Sequence, residues 1–318
     1  MGASAPKQPS NCSINWNLKY GNHMKEKTIY ALGFFDGVHL GHQALLSACR
    51  ETATEYCCHP GVVTFGSHPD TLVTGNTPGL INTAADREAL LRAYGMDTVV
   101  TLPFDEALRA MPWQDFFQLL LTQYGAAGFV VGEDFRFGYR GEGNARKLKD
   151  ACAAAGLPCV IVPEQTVDGV RVSSTHIRGL LERGEMALAL RFLGHPHIMT
   201  GTVVSGRQIG RTIGIPTANV LLPEGMLVPR LGVYACRAYV EGREFCAVTN
   251  IGCRPTVNGH QVRAESWLLD FEGDLYGKTL MLEFYKFLRP ERRFSSLEEL
   301  RREILDNAEQ TRQYFEEE

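Results

Sequence analysis

GFFDGVHLGH, residues Gly33–His42, is the stretch on which the fold turns. It follows TIYAL (Thr28–Leu32), a short β-prone run, and leads into an apolar-periodic stretch from about Gly41 to Cys58 with Leu45, Leu46 and Cys49 on one face. Strand, glycine-bearing turn, then helix is how an open parallel α/β sheet begins. Such sheets bind ligands outside the carboxyl ends of their strands. The N-terminus of the following helix adds unpaired N–H groups and a partial positive charge suited to phosphate. Gly37 and Gly41 let the backbone approach a ligand closely. His39 and His42, three residues apart, can face one phosphate chain and donate hydrogen bonds to charge growing on a leaving pyrophosphate. The alternative is two helix-entry histidines serving a cap or a core contact; the preceding strand and the glycines favour phosphate.

Outward from this turn the pattern repeats. Strands are expected near Gly61–Phe65, Thr98–Leu102, Phe129–Val131 and Val160–Val162, with helices near Thr83–Tyr94, Trp113–Tyr124 and Asn144–Ala155. Val-rich continuous strands of this kind are buried on both faces, so the first half reads as a doubly wound α/β domain. After Ser173 the texture changes. Ile177–Leu193 reads as one or two helices. Closely spaced β-type runs follow at Thr200–Val204, Gly232–Val240, Glu244–Asn250, Arg263–Phe271 and Thr279–Phe287, which suggests an antiparallel β-barrel. SSLEEL announces a terminal helix, with Ser296 as N-cap, Glu299 closing a capping box, and Leu297, Leu300 and Ile304 as the stripe that lies on the barrel. The expected division is a polar tail (1–25), an α/β domain (26–184) and a barrel domain (185–318).

The chain has 318 residues, 44% hydrophobic and 21% charged, with a formal net charge of −4. That suits two ordinary globular domains and argues against a nucleic-acid binder, which carries a basic face. No apolar run is long enough to span a bilayer and no signal-peptide pattern opens the chain. The nine cysteines form no CxxC pair; they are expected to be reduced, mostly buried thiols, and the protein cytoplasmic.

Three further segments carry chemistry. In GEDFRFGYRGEG (Gly132–Gly143), Phe135 and Phe137 suit a core, while Arg136 and Arg140 suit phosphate or solvent. SSTHIR (Ser173–Arg178) opens a helix, where hydroxyls and N–H groups hold a phosphate or Ser173 or Ser174 simply caps. GTVVSGRQIGRTIGIPTANV (Gly201–Val220) is no P-loop, but it is glycine-rich, carries Arg207 and Arg211, and ends in Pro-Thr-Ala-Asn. Thr217 and Asn219, two apart in an extended segment, project on one face as hard oxygen ligands of the kind Mg²⁺ prefers. A loop capped by polar turn residues is the other reading.

GFFDGVHLGH, TFGSHPD, VVGEDFRFG and SSTHIR, in this order, resemble the bacterial bifunctional riboflavin kinase/FMN adenylyltransferase family, and PTAN followed by RAESWLLDF resembles its kinase half. The resemblance implies a Rossmann-like HxGH nucleotidyltransferase domain, then the kinase barrel, with riboflavin, FMN and ATP as small-molecule partners, Mg²⁺ as cofactor and a monomer or weak homo-oligomer. It makes His39, His42 and Arg178 catalytic in adenylyl transfer. Gly33, Phe34, Phe35, Asp36, Gly41, Ser173, Ser174 and Thr175 then handle the nucleotide of that half, and Gly206, Arg207, Gly210 and Arg211 that of the kinase. Asp134, Phe65, His68 and Arg289 fall to the flavin, Thr217 and Asn219 to Mg²⁺, and Glu265 becomes the base that accepts the proton of the riboflavin 5′-hydroxyl. Gly66, Ser67, Phe34 and Trp267 differ from the residues usual in that family. A kinase with a decayed adenylyltransferase half, a non-catalytic flavin or nucleotide-binding regulator, and another HxGH nucleotidyltransferase are the competing readings.

Overall fold

The computed structural model describes residues 27–68, 71–72, 75, 78–206, 209–256 and 259–317. The polar tail and Arg207 lie outside the described residues, as does the Arg211 side chain. The chain falls into two compact units. Of the described residues, one holds those up to Gly33, from 45 to 64 and from 94 to 163; the other holds those from 34 to 44, from 65 to 93 and from 164 onward.

The first unit is built on a five-stranded sheet: β1 (Thr28–Leu32), β2 (His59–Phe65), β3 (Thr98–Leu102), β4 (Ala126–Gly132) and β5 (Cys159–Val162), in the order β3-β2-β1-β4-β5. The pairs β1–β2, β1–β4 and β4–β5 are parallel. Every residue of β1 is buried, as a central strand covered on both faces requires. From β1 the chain first builds outward through β2 to β3 and then returns to build β4 and β5. The order therefore reverses at β1/β4, where ligands of open α/β sheets bind. Helix α1 (Leu40–Glu55) buries Leu45, Leu46, Cys49 and Ala53. Cys49 behaves as a small hydrophobe: its thiol lies 3.2 Å from the Ile29 carbonyl, and burial pushes its pKa up to about 11.

In the second unit, helix α2 (Ala84–Ala93) is capped by Thr83, whose hydroxyl accepts the Asp86 N–H at 3.0 Å. Helices α3 (Trp113–Tyr124) and α4 (Ala145–Ala155) belong to the first unit. Returning to the second, α5 (Ser174–Arg183) and α6 (Met186–Leu193) share one continuous apolar cluster with a six-stranded closed barrel. Its strands are β6 (His197–Val204), β7 (Ala218–Leu221), β8 (Gly232–Val240), β9 (Arg243–Thr256), β10 (Gly259–Leu268) and β11 (Thr279–Arg289), in the order β6-β7-β10-β9-β8-β11. The pairings are antiparallel.

Strand alternation sorts the barrel's side chains. Ala218, Val220, Tyr234, Cys236, Ala247, Ile251, Ala264, Leu268, Leu282 and Phe284 fill one core, and the Thr249 and Ser266 hydroxyls pair there at 2.9 Å. The opposite face carries Val233 and Val248, which cluster with Ala308 of the terminal helix α7 (Leu297–Glu316).

Three details differ from expectation. Leu297 is 55% exposed, and the fully buried residues of α7 are Asn307, Ala308 and Thr311 in its second half. Ser296 does cap, accepting the Glu299 N–H at 3.1 Å, but the Glu299 carboxylate reaches one residue further back, to the Ser295 N–H and hydroxyl at 2.8 and 2.7 Å. Every described cysteine is a free thiol, but only Cys49, Cys152 and Cys236 are buried, and Cys57 and Cys253 are exposed.

Candidate active sites

The first site lies wholly within the second unit. Three residues of the Gly33–His42 turn have left-handed backbone: Phe35 has φ 59°, Gly37 83° and the β-branched Val38 39°. Left-handed conformations at non-glycine residues cost about 1–3 kcal/mol each and persist where surrounding structure enforces them. Here Phe35 and Val38 are fully buried, and between them the strained turn presents Asp36.

Asp36, 2% exposed, is the hub of the site. Its Oδ1 accepts the Ile81 N–H at 2.9 Å and the Asn82 N–H at 3.3 Å, and its Oδ2 accepts Arg178 Nη2 at 2.7 Å. Arg178 Nε also donates to the Gly79 carbonyl at 2.8 Å. The Ser174 hydroxyl donates to the Asp36 carbonyl at 2.9 Å, which ties the start of α5 to the turn. Ser173 caps α5, accepting the His176 N–H at 3.2 Å. Thr175 is exposed on the first turn. Burial raises the Asp36 carboxyl above its usual range, against the opposing pull of Arg178.

His39 and His42 stack, ring centroids 3.6 Å apart and planes 11° from parallel. His39 Nδ1 accepts the His42 backbone N–H at 3.3 Å, so His39 is the cap of α1 as well as a candidate ligand. With Nδ1 accepting, the neutral ring carries its proton on Nε2 and is a donor there. Burial lowers the His39 pKa to about 4; burial, then His39 and Arg87, push His42 well below its ordinary value. Two stacked rings of this kind work as neutral imidazoles.

A second cluster adjoins them. Phe34 meets His68 edge-on at 4.7 Å, and the Arg87 guanidinium sits 4.4 Å over the Phe34 ring while Nη2 donates to the Phe65 carbonyl at 2.7 Å. Arg87 Nη1, both amide atoms of Asn82 and His42 Nδ1 are buried without a partner. Such orphaned groups each cost about 1–3 kcal/mol unless a ligand or water meets them. Asp134, expected at the flavin, is exposed on the turn after β4 in the other unit.

The second site is a cavity of about 260 Å³ on the outer face of the barrel. Period-2 alternation puts Asn219 of β7, Asn250 of β9 and Glu265 of β10 on that face, and the register sets Glu265 directly opposite both asparagines. Thr217, Gly210, Trp267 and Arg289 join them around the cavity, and Phe294 with Leu300 and Ile304 of α7 supplies an apolar wall. Arg289 is held from behind by Asn307 Oδ1 at 3.1 Å and Glu303 at 2.8 Å. A Cβ at Gly206 would stand 2.6 Å from the Asn219 amide, so that position packs directly on Asn219.

Asn219 is 7% exposed and its Oδ1 has no hydrogen-bond partner. An orphaned amide oxygen beside a threonine hydroxyl, facing a carboxylate across the sheet, is a donor set of hard oxygens, and it fits Mg²⁺.

Sequence reasoning did not find Arg87, Asn82 or Asn250. Arg87 had a signal: it precedes Leu91 by four residues, so the capped helix places an arginine on its buried stripe.

An HxGH turn leaving the first strand of a parallel sheet, followed by a barrel with a Thr-x-Asn/Glu cavity, defines a nucleotidyltransferase fold joined to a flavokinase fold. The sequence profile of the FAD synthetase family matches residues 21–176, and that of riboflavin kinase residues 193–315. Curated relatives include the bifunctional riboflavin kinase/FMN adenylyltransferases of Bacillus subtilis (34% identical, covering 91% of this chain and 93% of that protein), Pseudomonas fluorescens (38%; 87% and 89%) and Escherichia coli K12 (36%; 92% and 94%). A solved structure titled a macrolide-efflux protein from Streptococcus pneumoniae shares the fold across both halves, with TM-score 0.82, 30% identity, and coverage of 92% of this chain and 96% of that one. The chain belongs to the bifunctional riboflavin kinase/FMN adenylyltransferase family.

Proposed function

We propose that this chain makes FAD from riboflavin in two ATP-dependent steps at two sites. The observation that carries the reading is that each site assembles its own nucleotide-handling set: Asp36, His39, His42 and Arg178 in one, Thr217, Asn219 and Glu265 in the other. The domain boundary near residue 185 stays part of this reading, as do a cytoplasmic setting and a monomer or weak homo-oligomer.

In the kinase step Glu265 accepts the proton of the riboflavin 5′-hydroxyl, whose oxygen attacks the γ-phosphorus of ATP; the bond to the β-phosphate oxygen breaks and ADP leaves. A carboxylate base of this kind contributes about 10²–10⁴-fold. Asn250 and Asn219 flank Glu265 on the two neighbouring strands. The apolar wall of Phe294, Leu300 and Ile304, with Trp267, receives the flavin ring and excludes water. Thr217 Oγ1 and Asn219 Oδ1 would hold Mg²⁺, which supplies neutralisation of phosphate charge when bound.

In the adenylyl step an FMN phosphate oxygen attacks the α-phosphorus of ATP and pyrophosphate leaves, with no covalent enzyme intermediate. Catalysis is positioning and charge stabilisation. Neutral His39 and His42 donate hydrogen bonds to the phosphate chain, and Arg178, oriented by Asp36 and Gly79, offers its remaining N–H groups to the leaving charge. Phe34, Phe65 and His68 are the flavin-side contacts of this reading.

Chromatography of products from riboflavin, ATP and Mg²⁺ tests it. FMN should appear first and FAD after it. Glu265→Ala should abolish FMN formation yet still adenylylate supplied FMN, and His42→Ala should do the reverse. FMN alone from the parent protein would reduce the reading to a kinase, and no flavin product would leave only a binder.

A further inference from the structure

The main chain of Gly79–Asn82 is a strap across the adenylyl site. On one side it supplies the Gly79 carbonyl to Arg178 and the Ile81 and Asn82 N–H groups to Asp36. On the other side it is gripped by a segment from the kinase half. Leu80 forms a parallel bridge with Met226: the Leu80 N–H donates to the Gly225 carbonyl at 2.9 Å, and the Leu227 N–H donates to the Leu80 carbonyl at 2.8 Å. The fit is close, for a Cβ at Gly79 would stand 2.9 Å from the Leu227 Cα. Gly225 belongs to a tight turn in which the Met226 N–H returns to the Pro223 carbonyl at 3.3 Å, and it has φ +79°. That turn follows β7, the strand that carries Asn219.

We infer that the Pro223–Leu227 turn of the kinase half is a positioning element for adenylyl transfer, acting through the Gly79–Asn82 strap on Asp36 and Arg178. Asp36 has three side-chain hydrogen bonds, and two of them come from the strap. Arg178 takes one of its two from the strap and the other from Asp36. A strap released from Gly225 and Leu227 would leave both charged groups without a fixed frame. Nothing in the turn lines the kinase cavity. The kinase sequence therefore contributes to the chemistry of the other half without lending it a ligand.

The inference rests on the assignment of the adenylyl site above, and the test separates the two. A side chain at Gly225 would meet nothing within 4 Å, so a substitution there acts through the backbone alone. Valine resists a left-handed conformation, whereas asparagine adopts it readily. In Gly225→Val the KM for ATP in FAD formation from supplied FMN should rise about tenfold, while Gly225→Asn stays near the parent. Riboflavin phosphorylation by the same preparations should be unchanged, because the turn contributes nothing to the lining of the kinase cavity. Gly79→Ala is the second probe: it pushes the strap off Leu227 from the opposite side and should reproduce the rise in KM. Parent-like adenylylation in both Gly225→Val and Gly79→Ala would overturn the inference, and so would a parallel loss of kinase activity in Gly225→Val. His42→Ala serves as the control. If it loses FAD formation while the strap variants keep it, the strap inference alone fails; if it retains FAD formation, the site assignment fails.

Discussion

Replacing Arg178 with methionine keeps most of the side-chain volume and removes the cation that Asp36 faces at 2.7 Å. Asp36 is 2% exposed, so the variant keeps a carboxylate out of water with only the Ile81 and Asn82 N–H groups to hold it. Removing one partner of a buried pair costs about 3–5 kcal/mol. Two features place this case at the lower end. The two backbone donors remain, and the carboxyl already sits above its usual range because burial outweighs Arg178, so protonation offers a way out. We expect a loss of about 3 kcal/mol near pH 7.5. The pH dependence has a definite sign. In the variant the folded pKa of Asp36 rises further above its unfolded value, so the folded state binds the extra proton as pH falls. The deficit relative to the parent is therefore full at high pH and shrinks on acidification. Urea unfolding of both proteins at about pH 7.5 and about pH 5.5 measures it. FAD formation should be lost with FMN formation retained. A deficit below about 1 kcal/mol, typical of an exposed pair, or one identical at the two pH values, would refute the picture of Asp36 as a buried hub.

Burial also lowers the pKa of His197, inside the barrel, to about 4, as it does for His39. Both groups are neutral when folded and gain a proton more readily when unfolded. Their contribution to stability is thus full above about pH 6.5 and lost as pH falls toward 4, with a slope of up to about 1.4 kcal/mol per pH unit for each. His197→Leu should flatten the acid limb of the stability profile, measured by denaturant unfolding across that range. Gly206→Ala would drive a methyl group into the Asn219 amide; the Mg²⁺ concentration for half-maximal FMN formation should rise about tenfold, with adenylylation of supplied FMN unchanged.

The parts of the structure legible in the sequence were those with a local cause. Thr28–Leu32, Trp113–Tyr124 and Gly232–Val240 lie where their periodicity puts them, and Ser296 caps as its hydroxyl and the following residues dictate. The four-residue strand Ala218–Leu221 read only as an extended end of a glycine-rich loop. It becomes a strand because Glu265 and its neighbours, more than forty residues on, pair with it. The same dependence hid the strap. Leu80 and Ile81 follow Pro78 and Gly79 with no periodicity, and the role of this segment comes from the partners of its main chain at Asp36, Arg178, Gly225 and Leu227. Leu297 misled for the converse reason: it fits the apolar stripe of α7 but, as the first residue of the helix, stands 55% exposed, while Leu300 and Ile304 face the cavity.

The cavity beside Glu265 lies on the outside of the barrel, between a sheet face and α7, while the barrel interior is filled by its own side chains. The strands thus serve two masters on alternate residues. Inward positions answer to folding, and outward positions shape the cavity. Selection or engineering can then rewrite the cavity wall through Trp267, Leu300 and Ile304 while the interior stays as it is. Drift among the interior residues would likewise leave the chemistry untouched as long as the strands keep their register.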